Sequence, residues 1–351
     1  MGPALQAAIT RAWVAGGWVS IGLSPVAWLY GALTGLQRAA YRVGLLRSHR
    51  LPVPVIVVGN VVAGGAGKTP TVLGVVAHLI AQGYRPGIIS RGYGGSHQVP
   101  TEVISGSLAA DVGDEPLLMH RNSGVPVVVG RDRVAAGLCL LNLHPDTTHV
   151  VCDDGLQHYR LYRDFEICVF DARGTGNGRL LPAGPLRQAW PRAAVAPAGQ
   201  AVERTLVLHT GANALPGFKA RRALAPFALN AAGQAMELSA LRDLKTPCHA
   251  VAGIAQPENF FSMLRDLGLS LASTRALPDH YDFDSYPRNE YKGKTLICTE
   301  KDATKLWQHR PDAWSVPLIQ TLPSDFLAAL DAGLHGVRKA SVSSPHGHTT
   351  H

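Results

Sequence analysis

The hexapeptide Gly64-Gly65-Ala66-Gly67-Lys68-Thr69 has the residue types of a loop that wraps phosphate. Glycines let backbone N–H groups turn inward on phosphate oxygens, and a helix N-terminus behind the loop adds positive potential. Lys68 can then reach the β- and γ-phosphates of a nucleoside triphosphate, while the Thr69 hydroxyl is a ligand for Mg2+. The strict pattern GxxxxGK[ST] would put its first glycine at position 62, where this chain has Val62, but the doubled Gly64-Gly65 restores the backbone freedom. A glycine-rich turn without a nucleotide would leave the Lys68-Thr69 pair without a purpose. ATP and Mg2+ are therefore the expected cofactors. Such a loop needs a carboxylate at the end of a neighbouring strand to complete the magnesium shell. The run His149-Val150-Val151-Cys152-Asp153-Asp154-Gly155 supplies two, Asp153 and Asp154. Adjacent carboxylates repel unless a cation lies nearby; a solvated turn explains one aspartate better than two.

The elements that must position these groups are legible around them. After Leu51-Pro52-Val53-Pro54, the β-branched run Val55 to Val58 reads as a buried strand, followed by a loop and a helix from about Thr69 to Gln82 with Pro70 in its first turn. Further strands are expected at Gly87 to Ile89, Val125 to Val129, His149 to Cys152 and Ile167 to Phe170, with a helix from about Arg133 to Leu143 among them. This alternation predicts an α/β fold: a P-loop NTPase-like, mostly parallel sheet with helices on both faces. A Gly-, Pro- and Arg-rich stretch from Ala172 to Arg204 reads as a functional loop and a connection. A second, smaller α/β domain is expected to begin with strand Thr205 to His209 and to continue through strand His249 to Ala252, a helix opened by Pro257, and strand Thr295 to Cys298. The expected units are an N-terminal membrane anchor helix with its basic flank (1–50), a P-loop domain (51–190), the second α/β domain (191–338) and a disordered tail (339–351). The tail's His346, His348 and His351 read as solvated.

Charge is unevenly spread. No Asp or Glu precedes Glu102, and the eight basic residues of that stretch equal the net charge of +8, so the rest balances at 25 basic against 25 acidic residues. From Ala12 to Gln37 there is no charged residue, and the run carries Trp13, Trp18, Trp28 and Tyr30. Ser24-Pro25 and five glycines interrupt it, which favours an embedded or interfacial helix over a clean membrane span. Arg38, Arg42, Arg47 and Arg50 just downstream would then face anionic phospholipid on the cytoplasmic side. Nucleic acid fits poorly, because these arginines flank an apolar run and do not alternate with aromatic residues. Five cysteines without a CxxC pair read as reduced core residues. No obligate protein partner is indicated.

Several further motifs occur in order: Gly59-Asn60 before the phosphate loop, Ser90-Arg91-Gly92-Tyr93-Gly94, Gly113-Asp114-Glu115-Pro116, Asp153-Asp154-Gly155-Leu156-Gln157-His158, Leu181-Pro182-Ala183-Gly184-Pro185-Leu186-Arg187 and Thr299-Glu300-Lys301-Asp302. Together they resemble the tetraacyldisaccharide 4'-kinase (lipid A 4'-kinase) family. The resemblance implies transfer of the γ-phosphoryl group of ATP to the 4'-hydroxyl of a glycolipid, tetraacyldisaccharide 1-phosphate, giving lipid IVA on the cytoplasmic face of a Gram-negative inner membrane. It implies that Asp114 and His280 form an acid–base dyad, that Arg187 lies near the transferred phosphoryl group, and that Asn60, Ser90, Arg91, Tyr93 and His158 meet the substrate. Glu300 and Lys301 are expected at the cleft, and Asp302 either there or capping a helix. The chain departs from the family pattern at Gln188, where an acidic residue is usual, and at Leu156, where an aromatic residue is common. The alternative functional class is a soluble P-loop ATPase or GTPase switch of the partitioning or metallochaperone type, which often has a lysine where this chain has Ala63 and gives no reason for the Trp-rich N-terminus.

Overall fold

In a computed structural model, residues 9, 11–14, 16–191, 205–243, 247–287 and 290–342 are described, 336–342 by their backbone alone. The first large element is an eight-stranded sheet. Its strands are β1 (Val55–Gly59), β2 (Pro86–Ser90), β3 (Thr101–Glu102), β4 (Val127–Val129), β5 (His149–Asp153), β6 (Phe165–Phe170), β7 (Thr205–His209) and β8 (Phe218–Lys219), in the order β3-β4-β2-β5-β1-β6-β7-β8. All pairs are parallel except β3 with β4. β1, β2, β5 and β6 are buried along their whole length, as near-continuous apolar runs must be when helices cover both faces of a parallel sheet. The register sets Val58 beside Asp153, so the loop leaving β1 and the carboxylates ending β5 emerge side by side. That crevice, outside the carboxyl ends of central strands, is where open α/β sheets bind ligands.

One face of the sheet packs on the helix Lys68–Ala81, which buries Thr71, Val72, Val75, Val76 and Leu79 at helical spacing. The other face is closed by Leu51, Val134, Leu140 and Leu156. Leu156 is fully buried and lies against Gly59, so its departure from the family pattern is a packing matter.

A second, six-stranded sheet runs β11-β10-β15-β14-β12-β13, with β10 (Phe227–Leu229), β11 (Ala235–Glu237), β12 (Cys248–Ala252), β13 (Leu271–Ala276), β14 (Thr295–Thr299) and β15 (Trp314–Val316). Between the two sheets lies an antiparallel ribbon of β9 (Arg221–Leu224) and β16 (Leu318–Thr321).

Two expectations about the chain's division need correction. Strand Thr205–His209 does not open the second unit; it pairs in parallel with β6 and extends the first sheet. The final helix, Ser324–Val342, also returns to the first sheet, where Phe326, Leu330 and Leu334 join its core and Phe326 meets Phe218 edge-on. Burial of these large apolar groups outweighs sequence proximity. The same helix carries regular structure past Lys339, where a tail was expected. Residues 343–351, with the three tail histidines, and 192–204 of the connection lie outside the described residues.

At the N-terminus, helices Trp18–Gly22 and Ser24–Arg42 lie against the 177–187 loop. The Trp13 indole donates to the Pro182 carbonyl (2.9 Å), Ser20 Oγ donates to the Ala183 carbonyl, and the Tyr30 hydroxyl donates to the Arg187 carbonyl (2.8 Å). Trp18 and Trp28 point outward, 88% and 75% exposed. No helix among the described residues is long and apolar enough to cross a membrane. All five cysteines are free, and burial pushes the Cys152 thiol up to about 11, as an inert core group requires.

Candidate active site

The phosphate loop is shaped from beneath. Gly64 and Gly67 have φ of 96° and 84°, left-handed values that only glycine holds without strain. The loop's carbonyls are tied back by side chains: Asn60 Nδ2 donates to Gly64 O (3.1 Å), Arg173 to Ala63 O and Gly65 O (3.3 and 3.2 Å), and Thr210 Oγ1 to Ala66 O (2.9 Å). Arg173 is itself clamped by Asp171 at 2.6 Å. Asn60, expected at the substrate, is fully buried and absent from the cleft lining; it braces the loop.

Asp153 and Asp154, adjacent in sequence, have different surroundings. Asp153 is 1% exposed and accepts from Ser90 Oγ at 3.0 Å, while its other oxygen is buried without a partner. Burial, with Glu115 and Asp154 adding to it, pushes its carboxyl up to about 7. A buried carboxylate oxygen with no donor is costly unless a cation meets it. It lines the same cleft as Thr69, so Thr69 and Asp153 fit Mg2+. Asp154, expected beside Asp153 on the metal, instead gives both oxygens to Arg187 Nη1 (3.1 and 3.2 Å) and lies 3.7 Å from Lys68 Nζ. Burial pushes Asp154 up, but Lys68 and Arg187 outweigh it and hold the carboxyl below its ordinary range. Among the described residues no group of three or more His, Cys, Asp or Glu is gathered around a metal position.

Asp114 opens the helix Asp114–Ser123 of the first unit, and His280 follows β13 of the second. His280 Nδ1 lies 3.0 and 3.2 Å from the two Asp114 oxygens. Burial pushes the 3%-exposed Asp114 up, yet the His280 hydrogen bond and the ammonium groups of Lys301 and Lys305 prevail, and its carboxyl lies well below the usual range. The hydrogen bond to Asp114 raises His280, against opposition from burial and Lys301. Lys301 Nζ stands 3.2 Å from His280 Nε2, 3.2 Å from Asp279 and 3.3 Å from Glu115. His280 has φ of 61°, and its N–H donates to Gly253 O (3.2 Å), whose own N–H donates to buried Asp302 (3.0 Å). Thr299, not Asp302, caps the helix Glu300–Leu306.

Ser90, Arg91, Tyr93 and His158 all line the cleft. Ser90 holds Asp153, and Tyr93, 65% exposed, stands with its ring 5.2 Å from that of His280. His158 accepts from the Arg133 N–H (3.4 Å), and burial together with Arg133 pushes it down to about 4, so it is neutral at physiological pH. Gln188 is 2% exposed, accepts from the Tyr159 hydroxyl (3.1 Å) and does not line the cleft. Sequence reasoning missed Lys305, which stands 3.4 Å from Asp114 one helical turn after Lys301, and Arg222, which no motif marked.

The cleft is about 860 Å3 and runs from the phosphate loop to His280, Glu300 and Lys301. That volume is at the upper end for a ligand site. One wall carries cations for phosphate, the other a carboxylate-oriented imidazole, the arrangement needed to move a phosphoryl group onto an activated hydroxyl.

The LpxK family, described as tetraacyldisaccharide-1-P 4'-kinase, matches residues 19–335. A tetraacyldisaccharide 4'-kinase of Acidovorax sp. (strain JS42) is 54% identical over 336 residues, 95% of this chain and 94% of that protein. One from Polaromonas naphthalenivorans (strain CJ2) is 50% identical over 99% of this chain and 100% of its own length. Among solved structures, LpxK from Aquifex aeolicus in complex with ATP superposes with a TM-score of 0.75 at 27% identity, covering 90% of this chain and 99% of that one. With the loop, the carboxylates and the dyad all inside the matched span, the chain belongs to the tetraacyldisaccharide 4'-kinase family.

Proposed function

We propose that the cleft binds ATP against the Gly64–Thr69 loop and transfers its γ-phosphoryl group to the 4'-hydroxyl of tetraacyldisaccharide 1-phosphate, the step that yields lipid IVA in lipid A synthesis. The observation that carries this is the pairing of buried Asp114 with His280 at 3.0 Å, His280 lining the cleft that also holds Lys68. With Nδ1–H donated to Asp114, His280 keeps its lone pair on Nε2, which stands 3.2 Å from Lys301 Nζ and takes the proton of the attacking hydroxyl, and the imidazolium so formed is stabilised by the carboxylate. Lys68 and Arg187, set by Asp154, face the charge that develops on the transferred group. Thr69 and Asp153 would hold Mg2+, which neutralises charge on the β- and γ-phosphate oxygens when bound. Arg91 and Tyr93, at the cleft mouth, suit an anionic sugar headgroup.

The N-terminal helices support a place at the cytoplasmic face of an inner membrane. Val26, Leu29, Leu33 and Leu36 are exposed with Trp18 and Trp28 on α-helices, the second of which ends with Arg38 and Arg42, a surface suited to lie in a bilayer interface.

The test is direct. Purified chain with Mg2+, labelled ATP and tetraacyldisaccharide 1-phosphate in mixed micelles should yield a product phosphorylated at the 4' position, located by NMR. ATP turnover indifferent to the glycolipid, with no labelled lipid, would sink the reading and favour a P-loop switch.

A further inference from the structure

The ribbon between the two sheets carries a guanidinium that the account above leaves without a task. Arg222, on β9, extends over the phosphate loop, and its Nη2 occupies the space into which a Cβ on Gly67 would project. Gly67 is the N-cap of the loop's helix, so this is the space above backbone N–H groups that face phosphate. A closed circuit of side chains holds the group there. Arg222 Nε donates to Gln320 Oε1 (3.0 Å) on β16, Gln320 Nε2 donates to Thr71 Oγ1 (2.7 Å), and Thr71 Oγ1 donates to Gly67 O (2.9 Å). The ribbon is thereby stapled to the first turn of the helix behind the loop, and only Nε of the guanidinium is used in the staple.

The Nη groups have no carboxylate to answer them. Among the described residues Arg222 forms no ion pair. Asp171, the carboxylate that acts on it from a distance, is already clamped by Arg173 at 2.6 Å and accepts from Gln256 at 2.9 Å. Burial pushes the Arg222 guanidinium down, yet an arginine keeps its charge and so calls for an anion. Arg222 lines the cleft together with Gly64, Gly67 and Lys68.

We propose that Arg222 is a nucleotide-binding residue, donating through its Nη groups to the phosphates held by the Gly64–Thr69 loop. It joins a bound nucleotide to the ribbon of β9 and β16, and through Gln320 and Thr71 to the helix behind the loop. The inference rests on the reading of the cleft as an ATP site and adds a phosphate ligand from outside the loop and its motif.

The experiment measures ATP, ADP and adenosine binding to the full chain in the absence of glycolipid, by calorimetry or by displacement of a fluorescent ATP analogue. Arg222→Ala should weaken ATP and ADP binding by about tenfold or more, the scale of a charge-assisted hydrogen bond, and leave adenosine unchanged. Arg222→Lys should recover part of the loss, and the thermal transition of both variants should stay within a few degrees of the parent. Retention of parental ATP affinity by Arg222→Ala, or an equal loss for adenosine and ATP, overturns the assignment. If Arg222→Ala alone is unstable, Arg222→Gln decides: unchanged ATP and ADP affinities in that variant overturn it equally. Failure of the unaltered chain to bind ATP overturns the ATP reading itself, and this inference with it.

Discussion

His280 Nδ1 stands 3.0 Å from Asp114 Oδ2 across 166 positions of sequence and between two different sheets. Neither residue has chemistry worth noting alone. Together they place a carboxylate-oriented imidazole opposite a phosphate loop, and Lys301 and Lys305 keep that carboxylate ionised.

Replacing either member should therefore harm chemistry more than nucleotide binding. Asp114→Ala and His280→Ala are each expected to lower kcat by roughly 100-fold or more while the Kd for ATP changes little, the usual scale for loss of a general base. Near-parental turnover in both variants, measured with labelled ATP, removes the dyad from the mechanism.

Lys301 offers a pH test with a definite sign. Its ammonium, 3.2 Å from Nε2, lowers His280, opposing Asp114, which raises it. A base works deprotonated, so activity is lost as pH falls through its pKa. Lys301→Met removes the opposing charge, raises His280 further, and should move the acidic limb of kcat/KM toward higher pH; Lys301→Arg should keep it near the parental position. A limb that stays put or moves down in Lys301→Met contradicts this.

Asp153 carries a buried oxygen without a partner. Removing an uncompensated buried charge relieves a desolvation cost, so Asp153→Asn should raise Tm in EDTA at pH 8 and at the same time abolish the rise in Tm that Mg2+ with ATP gives the parent. Calorimetry with and without Mg2+ reads both effects, and a variant that is destabilised in EDTA counts against a cation role for this carboxylate.

The outward tryptophans separate membrane seating from catalysis. Trp18→Ala with Trp28→Ala should weaken partition onto vesicles of anionic phospholipid by about tenfold or more, since apolar area buried in the interface drives binding, and leave ATP affinity intact. Vesicle flotation that is unchanged in the double variant places these side chains elsewhere.

Phe326 tests the return of the last helix to the first sheet. It is fully buried against Phe218, and Phe326→Ala should cost about 3–5 kcal/mol in denaturant unfolding. A cost below about 1 kcal/mol would mean that the helix is not part of that core.

What could be read from the sequence is what acts over short range. The glycine spacing ahead of Lys68-Thr69, the β-branched strand before it, the helix after it and the paired aspartates ending a buried run all express local backbone and burial preferences, and the structure has each of them. The family resemblance likewise paired Asp114 with His280 and put Arg187 near the transferred phosphoryl group, but did not give Arg187 its partner Asp154. Register and long-range packing decided the rest. Val58 beside Asp153 sets the Asp153 carboxylate next to the loop, and Asp154 turns its own carboxylate to Lys68 and Arg187. Asn60, expected to meet substrate, is turned under the loop because its amide satisfies Gly64 O. Strand Thr205–His209 joins the first sheet because its backbone hydrogen bonds are met by β6. Arg222 reaches Gly67 only through the antiparallel pairing of the ribbon, a relation between residues 155 positions apart that no local pattern encodes.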